Sequence, residues 1–165
     1  MPDSNPRPVF EELVGELDYP MLIVTAAAGK ERDGCLVGFA TQCSIAPPRF
    51  AVYLSDKNRT YRIARQTEAI GVHFLSTDDG DLAELFGGET GDEVDKLAEI
   101  EWHEGPAGVP LLDRCPNRFV GSILDRYQAG DHVCFLLEPI AAEHGYEIRP
   151  FPFHRAKQID SGHEA

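Results

Sequence analysis

The residues best suited to chemistry lie in a short polar run, Ser55-Asp56-Lys57-Asn58-Arg59-Thr60, which follows a strand-like stretch and precedes a helical pattern. Its hydroxyl, ammonium, amide and guanidinium groups are all hydrogen-bond donors. Donors at a strand-to-helix junction suit a phosphate, because the first N–H groups of a helix are unpaired and the helix dipole is positive there. The run therefore predicts a phosphate site formed by Ser55, Lys57, Asn58, Arg59 and Thr60.

A stretch of small and apolar residues, 34–45, precedes this run. Its near absence of charge predicts a strand that is buried on one or both faces. Its small residues, among them Gly38, Ala40 and Thr41, would let a flat ligand lie close to the backbone. A second strand is expected over residues 50–54, which are rich in aromatic and branched side chains. Together the two stretches predict a site for a ring that carries a phosphate.

The composition excludes several classes of partner. The chain has 15 Lys plus Arg against 28 Asp plus Glu, a formal net charge of −13. Such a surface repels nucleic acid and anionic lipid, so neither is an expected partner. No apolar run approaches the roughly 20 residues that span a bilayer, and the first residues lack a signal-peptide pattern. A cytoplasmic protein is expected.

Side-chain catalysis of the common kinds is not indicated by the motifs. The sequence has no Gly-x-Ser-x-Gly nucleophile elbow, no Cys-x-x-Cys pair and no closely spaced histidines, so neither a hydrolase nor a metal site is predicted. A dinucleotide-binding Rossmann fold is also disfavoured, because no Gly-x-Gly-x-x-Gly follows a strand. This pattern is typical of proteins in which a cofactor performs the reaction and the protein orients it.

The order of the elements predicts one domain over residues 1–165, with a core at about 9–155 and loose tails. We expect an antiparallel barrel with short helices at its ends. An amphipathic helix over 8–17 should pack its apolar stripe on the barrel. Gly130-Asp131 should form the turn of a long hairpin. Further expectations are strands over 21–27 and 69–75, helices over 60–65 and 78–87, an irregular loop over 104–117 and an edge strand over 146–153.

Four pieces of sequence, in this order, carry a resemblance to a known family. Pro20 to Thr25 forms an opening strand, and the Asp33-Gly34 strand leads through Ser44-x-x-Pro47-Pro48 to the polar run. A Gly-Val-Pro-Leu-Leu stretch begins at Gly108, and Gly130-Asp131-His132 follows. Over residues 9–155 the chain resembles the flavin reductase-like family with an FMN-binding split barrel.

The resemblance implies a mainly β (α+β) fold, an antiparallel Greek-key split β-barrel with short peripheral helices. It implies FMN as cofactor, with FAD or a deazaflavin as alternatives, and NADH or NADPH as co-substrate. The phosphate would bind to the polar run, and His132 would lie near the nicotinamide as a candidate catalytic residue. The flavin ring would lie along Val37, Gly38, Phe39, Ala40, Thr41, Gln42, Cys43 and Ser44.

Two flavin-dependent functions remain open at this point, beside a weaker third, an empty barrel used only for protein interaction. The first is an NAD(P)H:flavin reductase that supplies reduced flavin to a partner monooxygenase or a small acceptor. The second is a flavin- or deazaflavin-binding module without turnover of its own, because the ring strand carries Leu36, Val37 and Gly38 where the family usually has hydroxyl residues. In both cases a homodimer is expected, since it would cover the open strand edges and the ligand groove.

Overall fold

The computed structural model describes residues 5–160, in which nine strands and four short α-helices enclose three apolar clusters. The helices are α1 (Arg7–Gly15), α2 (Arg59–Ala64), α3 (Gly80–Gly88) and α4 (Phe153–Ala156). The strands are β1 (Leu22–Ala28), β2 (Glu31–Val37), β3 (Ala40–Ser44), β4 (Arg49–Ser55), β5 (Ala69–Phe74), β6 (Trp102–Glu104), β7 (Pro110–Leu112), β8 (Arg118–Gln128) and β9 (His132–Glu143).

Seven of these strands form one antiparallel sheet in the order β2-β1-β5-β8-β9-β4-β3. Strands β2 and β3 lie at its opposite edges, although only Gly38 and Phe39 separate them in sequence. Because the three Cα steps from Val37 to Ala40 span at most about 11 Å, the sheet must curl until its two edges meet there. The same curl lets Val37 of β2 and Leu54 of β4 share one buried core. The predicted fold, mainly antiparallel β with short peripheral helices, is confirmed.

Several predicted elements are confirmed with small shifts of their ends. The long hairpin is formed by β8 and β9, and the Ala129 N–H donates to the His132 carbonyl across its turn. Strand β4 and helix α2 flank the polar run, as expected. Asn58 is the N-cap of α2, where its Oδ1 accepts a 2.8 Å hydrogen bond from the Thr60 N–H. This cap fixes where the strand ends and the helix begins.

The prediction of one buried strand over residues 34–45 was wrong. The break at Gly38 and Phe39 divides the stretch between β2, which is buried over much of its length, and β3, which is an exposed edge strand. Small side chains such as Ala40 and Ser44 have little apolar area to gain from burial, so the absence of charge did not require a buried position. A β-bulge between Gln42 and Ser44 also interrupts the pairing of β3 with β4.

The prediction that the first helix packs on the barrel was also wrong. Helix α1 forms, but none of its residues is buried. Val9, Phe10 and Leu13 are each about 60% exposed, and Val14 and Leu17 continue the same apolar stripe. The spacing of apolar residues shows that a helix has an apolar face, but it does not show what covers that face.

The end of the chain differs from the predicted edge strand over 146–153. Only single bridges form there, Ser76 with Pro150 and Pro20 with Pro152, because each proline lacks the N–H that a ladder needs. The predicted irregular loop over 104–117 contains a strand, β7, which pairs with β6. The predicted loose tails fall largely on residues 1–4 and 161–165, which lie outside the described residues. Within residues 5–160, no helix is long and apolar enough to cross a membrane.

Candidate cofactor cleft

A cleft of about 240 Å³ opens where the two edges of the sheet meet. One wall comes from the β2–β3 junction, the end of β4 and the start of β9. The opposite wall comes from the segment before β1, the end of α3 and the segment that contains α4. The side chains that line it are mostly apolar or aromatic, a lining typical of small-molecule sites. They include Tyr19, Val37, Gly38, Phe39, Tyr53, Ser55, Asn58, Phe86, Glu89, His132, Phe153 and Lys157.

The first wall is built by backbone pairing across the curled sheet. The Tyr53 N–H donates a 2.9 Å hydrogen bond to the Phe39 carbonyl, which fixes the β2–β3 junction against β4. The Phe39 ring is 55% exposed and lies 5.0 Å from the imidazole of His132, measured between ring centroids. Ser55 is the register partner of His132 across β4 and β9. A hydroxyl, an imidazole and an aromatic ring therefore meet at one end of the cleft.

The second wall comes from the two ends of the chain. The rings of Tyr19 and Phe153 are stacked, with their centroids 4.5 Å apart and their planes 13° from parallel. Gly38 of the first wall contacts Tyr19, because a Cβ there would lie only 2.8 Å from Tyr19 Cε2. The sequence reasoning missed Tyr19, Phe86, Phe153 and Lys157. For the C-terminal part of this wall, the sequence did contain a signal: two aromatic residues, Phe151 and Phe153. The sequence analysis assigned them to an edge strand and did not consider them for the site.

The polar run divides between the cleft and its surroundings. Ser55 and Asn58 line the cleft, while Lys57 is exposed beside it. Arg59 points elsewhere, since its Nη1 donates a 3.2 Å hydrogen bond to the Arg32 carbonyl. Thr60 is fully buried, and its Oγ1 has no hydrogen-bond partner within the described part of the chain. The structure thus brings Ser55 and Asn58 to the cleft but not the side chains of Arg59 and Thr60.

The β3 residues of the predicted ring site run from the mouth of the cleft along the sheet edge. Val37, Gly38 and Phe39 line the cleft, whereas the five residues of β3 do not. Three of these, Thr41, Gln42 and Cys43, are exposed. Strand β3 therefore presents an open, small-residue surface next to the cleft, and its role in holding a ring stays a prediction.

Two titratable groups help to define the electrostatics of the cleft. His132 Nδ1 lies 2.7 Å from Asp131 Oδ1, and this hydrogen bond holds the pKa of the Asp131 carboxyl below its usual value. Cys35 forms part of the back of the cleft, where burial raises the pKa of its thiol to about 12. A thiol with such a pKa stays protonated at neutral pH, so Cys35 is a wall residue and not a nucleophile.

The comparison with known proteins identifies the family. The family model for the flavin reductase like domain matches residues 14–158. The chain belongs to this family. The resemblance seen in the four sequence pieces is therefore confirmed over nearly the whole chain.

The sequence identity between this chain and individual relatives is low. A ferric-chelate reductase (NAD(P)H) of Archaeoglobus fulgidus is 25% identical, over 78% of this chain and 77% of that protein. The reductase component of a 4-nitrophenol monooxygenase from Rhodococcus opacus is 26% identical, over 90% of this chain and 77% of that protein. A solved NADH:FAD oxidoreductase of Streptomyces globisporus superposes with a TM-score of 0.80 at 21% identity, covering 98% of this chain and 93% of that one, and this likeness shows the fold.

The residues of the cleft fit the flavin that the family name implies. Aromatic side chains on both walls suit a flat ring, and Gly38 lets the β2–β3 junction pack closely against Tyr19 and Met21. Ser55 and Asn58 offer polar groups for a phosphate at the end of β4.

Proposed function

We propose that this protein is an NAD(P)H-dependent flavin reductase. It takes a hydride from NADH or NADPH onto FMN, or onto FAD or a deazaflavin with the same kind of ring. The reduced flavin then serves a partner monooxygenase or a small acceptor. The observation that carries this proposal is the aromatic cleft at the meeting point of the two sheet edges, in a chain that belongs to the flavin reductase-like family.

In this proposal the protein binds and orients, while the flavin supplies the ability to accept a hydride. The ring lies against the β2–β3 junction and extends toward the exposed residues of β3. Ser55, Asn58 and the exposed ammonium of Lys57 hold the phosphate. Arg59 and Thr60 would join them only after their side chains rearrange, since one is bonded to the Arg32 carbonyl and the other is buried. His132, which faces Ser55 across β4 and β9, is the candidate for contact with the nicotinamide.

We also propose a homodimer, supported by two surfaces that the described chain leaves uncovered. The apolar stripe of α1 is exposed from Val9 to Leu17, and β3 is a free edge strand with exposed Phe39 and Ile45 close by. Exposed apolar side chains and unpaired strand edges favour association. Sedimentation velocity at micromolar concentration should show a dimer, and a lone monomer would contradict this.

The cytoplasm is the compartment that this proposal favours. All four cysteines are free, including the exposed Cys43. Unpaired thiols are the usual state of cysteine in reducing compartments.

Flavin-dependent oxidation of NAD(P)H tests the function directly. The purified protein is mixed with FMN or FAD in air. Oxidation of NADH or NADPH is then followed by the loss of the absorbance of the reduced nicotinamide at about 340 nm. We expect turnover that depends on added or retained flavin. Tight flavin binding without reduction by either nicotinamide would instead identify a binding module. The absence of both binding and turnover would overturn the flavin proposal.

A further inference from the structure

The charged groups of the cleft are few and unequally placed. Among its lining residues, Lys157 and Glu89 are the side chains that carry a full charge at neutral pH, and His132 is titratable. Among the described residues 5–160, neither the Lys157 ammonium nor the Glu89 carboxylate has an ion pair or a side-chain hydrogen bond, and the ammonium contacts only the face of the Phe153 ring. Both charged groups are therefore available to a ligand.

Lys157 is placed against the aromatic wall by α4. It follows Phe153 by four residues, one helical turn, so both side chains lie on the same side of this short element. The Lys157 Nζ lies 6.0 Å from the centroid of the Phe153 ring, which is itself stacked on Tyr19. The Phe153 N–H also donates a 2.8 Å hydrogen bond to the Tyr19 carbonyl, which fixes the start of α4. The wall therefore offers a flat apolar surface with a positive charge at its edge.

This combination suits a nucleotide with a flat ring and a phosphate, in a protein whose net charge of −13 otherwise repels anions. The phosphate site proposed for the flavin is at Ser55 and Asn58, on the opposite wall. We infer that Lys157 binds a phosphate of the nicotinamide dinucleotide, and that Phe153 supports its ring system from the same wall. This inference rests on the proposed reductase function and names the residues that receive its second substrate.

Because their charges are opposite, substitutions of Lys157 and Glu89 should change the KM for NADH in opposite directions. The Lys157→Gln variant removes the attraction for phosphate, so we expect the KM for NADH to rise about five- to tenfold, as for the loss of one charge-assisted hydrogen bond at a partly exposed site. The Glu89→Gln variant removes a repulsion, so we expect the KM to fall about twofold. Both effects should shrink at high salt, because screening weakens interactions between exposed charges. Lys157→Arg should keep most of the affinity.

Binding of ADP-ribose, measured by calorimetry, separates this inference from the reductase function. ADP-ribose carries the pyrophosphate and adenine of the dinucleotide but has no nicotinamide, so it cannot reduce a flavin. We expect Lys157→Gln to weaken ADP-ribose binding by a similar factor while the Kd for FMN stays within twofold. Lys30→Gln, which removes an exposed charge outside the cleft, serves as the matched control.

Each outcome of these measurements decides the inference. Unchanged KM for both NADH and NADPH, together with unchanged ADP-ribose binding, in Lys157→Gln would overturn it. Weaker FMN binding with unchanged ADP-ribose binding would also overturn it, because Lys157 would then belong to the flavin site. A larger loss with NADPH than with NADH would assign the contact to the 2′-phosphate, and an equal loss would assign it to the shared pyrophosphate. If ADP-ribose binds and Lys157→Gln weakens this binding, but the wild-type protein reduces no flavin, the reductase proposal fails. The contact between Lys157 and the phosphate then still stands.

Discussion

Ser55 and His132 are register partners across β4 and β9, and both line the cleft although they are far apart in the sequence. The Phe39 ring lies 5.0 Å from the His132 imidazole and completes this corner. The pairing of two central strands therefore places an imidazole next to the hydroxyl proposed for the phosphate end. The distance between the two side chains is set by the sheet and does not depend on a flexible loop.

This corner leads to a prediction for His132. We expect His132→Ala to raise the KM for NADH about tenfold, because it removes both a polar contact to the nicotinamide and the ring that supports Phe39. The Kd for FMN, measured by fluorescence quenching, should change much less. His144→Ala, which removes an exposed imidazole outside the cleft, is the matched control. Equal losses of flavin and nicotinamide binding would show that the imidazole mainly supports the corner.

The reactivity of the cysteines tests the predicted ring surface on β3. Cys35, Cys115 and Cys134 are buried, and burial raises the pKa of Cys35 and of Cys115 to about 12. Cys43 is the exposed thiol, so we expect a thiol reagent at pH 8 to modify one cysteine rapidly in the native protein and four after unfolding. If a flavin ring covers β3, saturating FMN should slow the rapid phase.

Cys43→Ser provides the control for this labelling. This variant should lose the rapid phase, and the three buried cysteines should still react after unfolding. Rapid labelling of Cys43 that proceeds at the same rate with and without bound FMN would exclude β3 from the ring site.

Local patterns in the sequence were enough for several of the elements and for one wall of the cleft. The polar run, its helix start and the Gly130-Asp131 turn are short-range features, and Ser55, Asn58 and His132, which were predicted as residues of one site, all line the cleft. The second wall depends on contacts between the ends of the chain, such as the stack of Tyr19 on Phe153. No local spacing encodes such a contact, and therefore the sequence analysis did not find it.

Side-chain direction was a second limit of the sequence analysis. Within the polar run, the residue types indicated a phosphate site, but helical geometry turns Thr60 into the core and directs Arg59 to the Arg32 carbonyl. Likewise, the apolar stripe of α1 was visible, but nothing in the pattern shows whether the covering surface belongs to the same chain.

The α1 stripe predicts the effect of a charge at the proposed dimer surface. We expect Leu13→Glu, at a position that is 60% exposed, to leave the fold intact and to shift the protein from dimer to monomer in sedimentation velocity. A buried carboxylate without a partner opposes association strongly. Glu12→Gln, on the polar side of the helix, is the control. A dimer that persists unchanged in Leu13→Glu would remove α1 from the interface.

His73 predicts a loss of stability in acid. It is fully buried, its Nδ1 lies 3.1 Å from the Ile23 carbonyl, and its Nε2 accepts a 3.0 Å hydrogen bond from the Leu112 N–H. Burial, with a smaller contribution from the nearby charge of Arg118, lowers the pKa of His73 to about 3. The ring must therefore be neutral, with the Nδ1 proton donated to Ile23.

The sign of the pH dependence follows from these two protonation states. Between the unfolded pKa of about 6.5 and the folded value, the unfolded chain binds a proton that the folded chain does not. The free energy of unfolding should therefore fall by up to about 1.4 kcal/mol per pH unit in this window as the pH is lowered. The amide of Gln can donate and accept hydrogen bonds without titrating, so His73→Gln should reduce the change in unfolding free energy per pH unit. His144→Gln, at an exposed position, should not. The free energy is measured by urea unfolding at each pH. Equal slopes in all three proteins would contradict the assignment.

The buried pair of Lys96 and Asp33 links the stability of the sheet to the rim of the cleft. The Lys96 Nζ is buried, donates a 2.8 Å hydrogen bond to the Gly34 carbonyl and lies 4.0 Å from Asp33 Oδ1. It ties the segment after α3, which carries Glu89, to the edge strand β2. We expect Lys96→Met to lower the free energy of unfolding by about 3–5 kcal/mol, because it leaves the Asp33 carboxylate buried without a cation. The double variant with Asp33→Asn removes that isolated charge and should recover part of the loss, measured by urea unfolding. A double variant that is as unstable as the sum of its single variants would show that the two charges are not coupled.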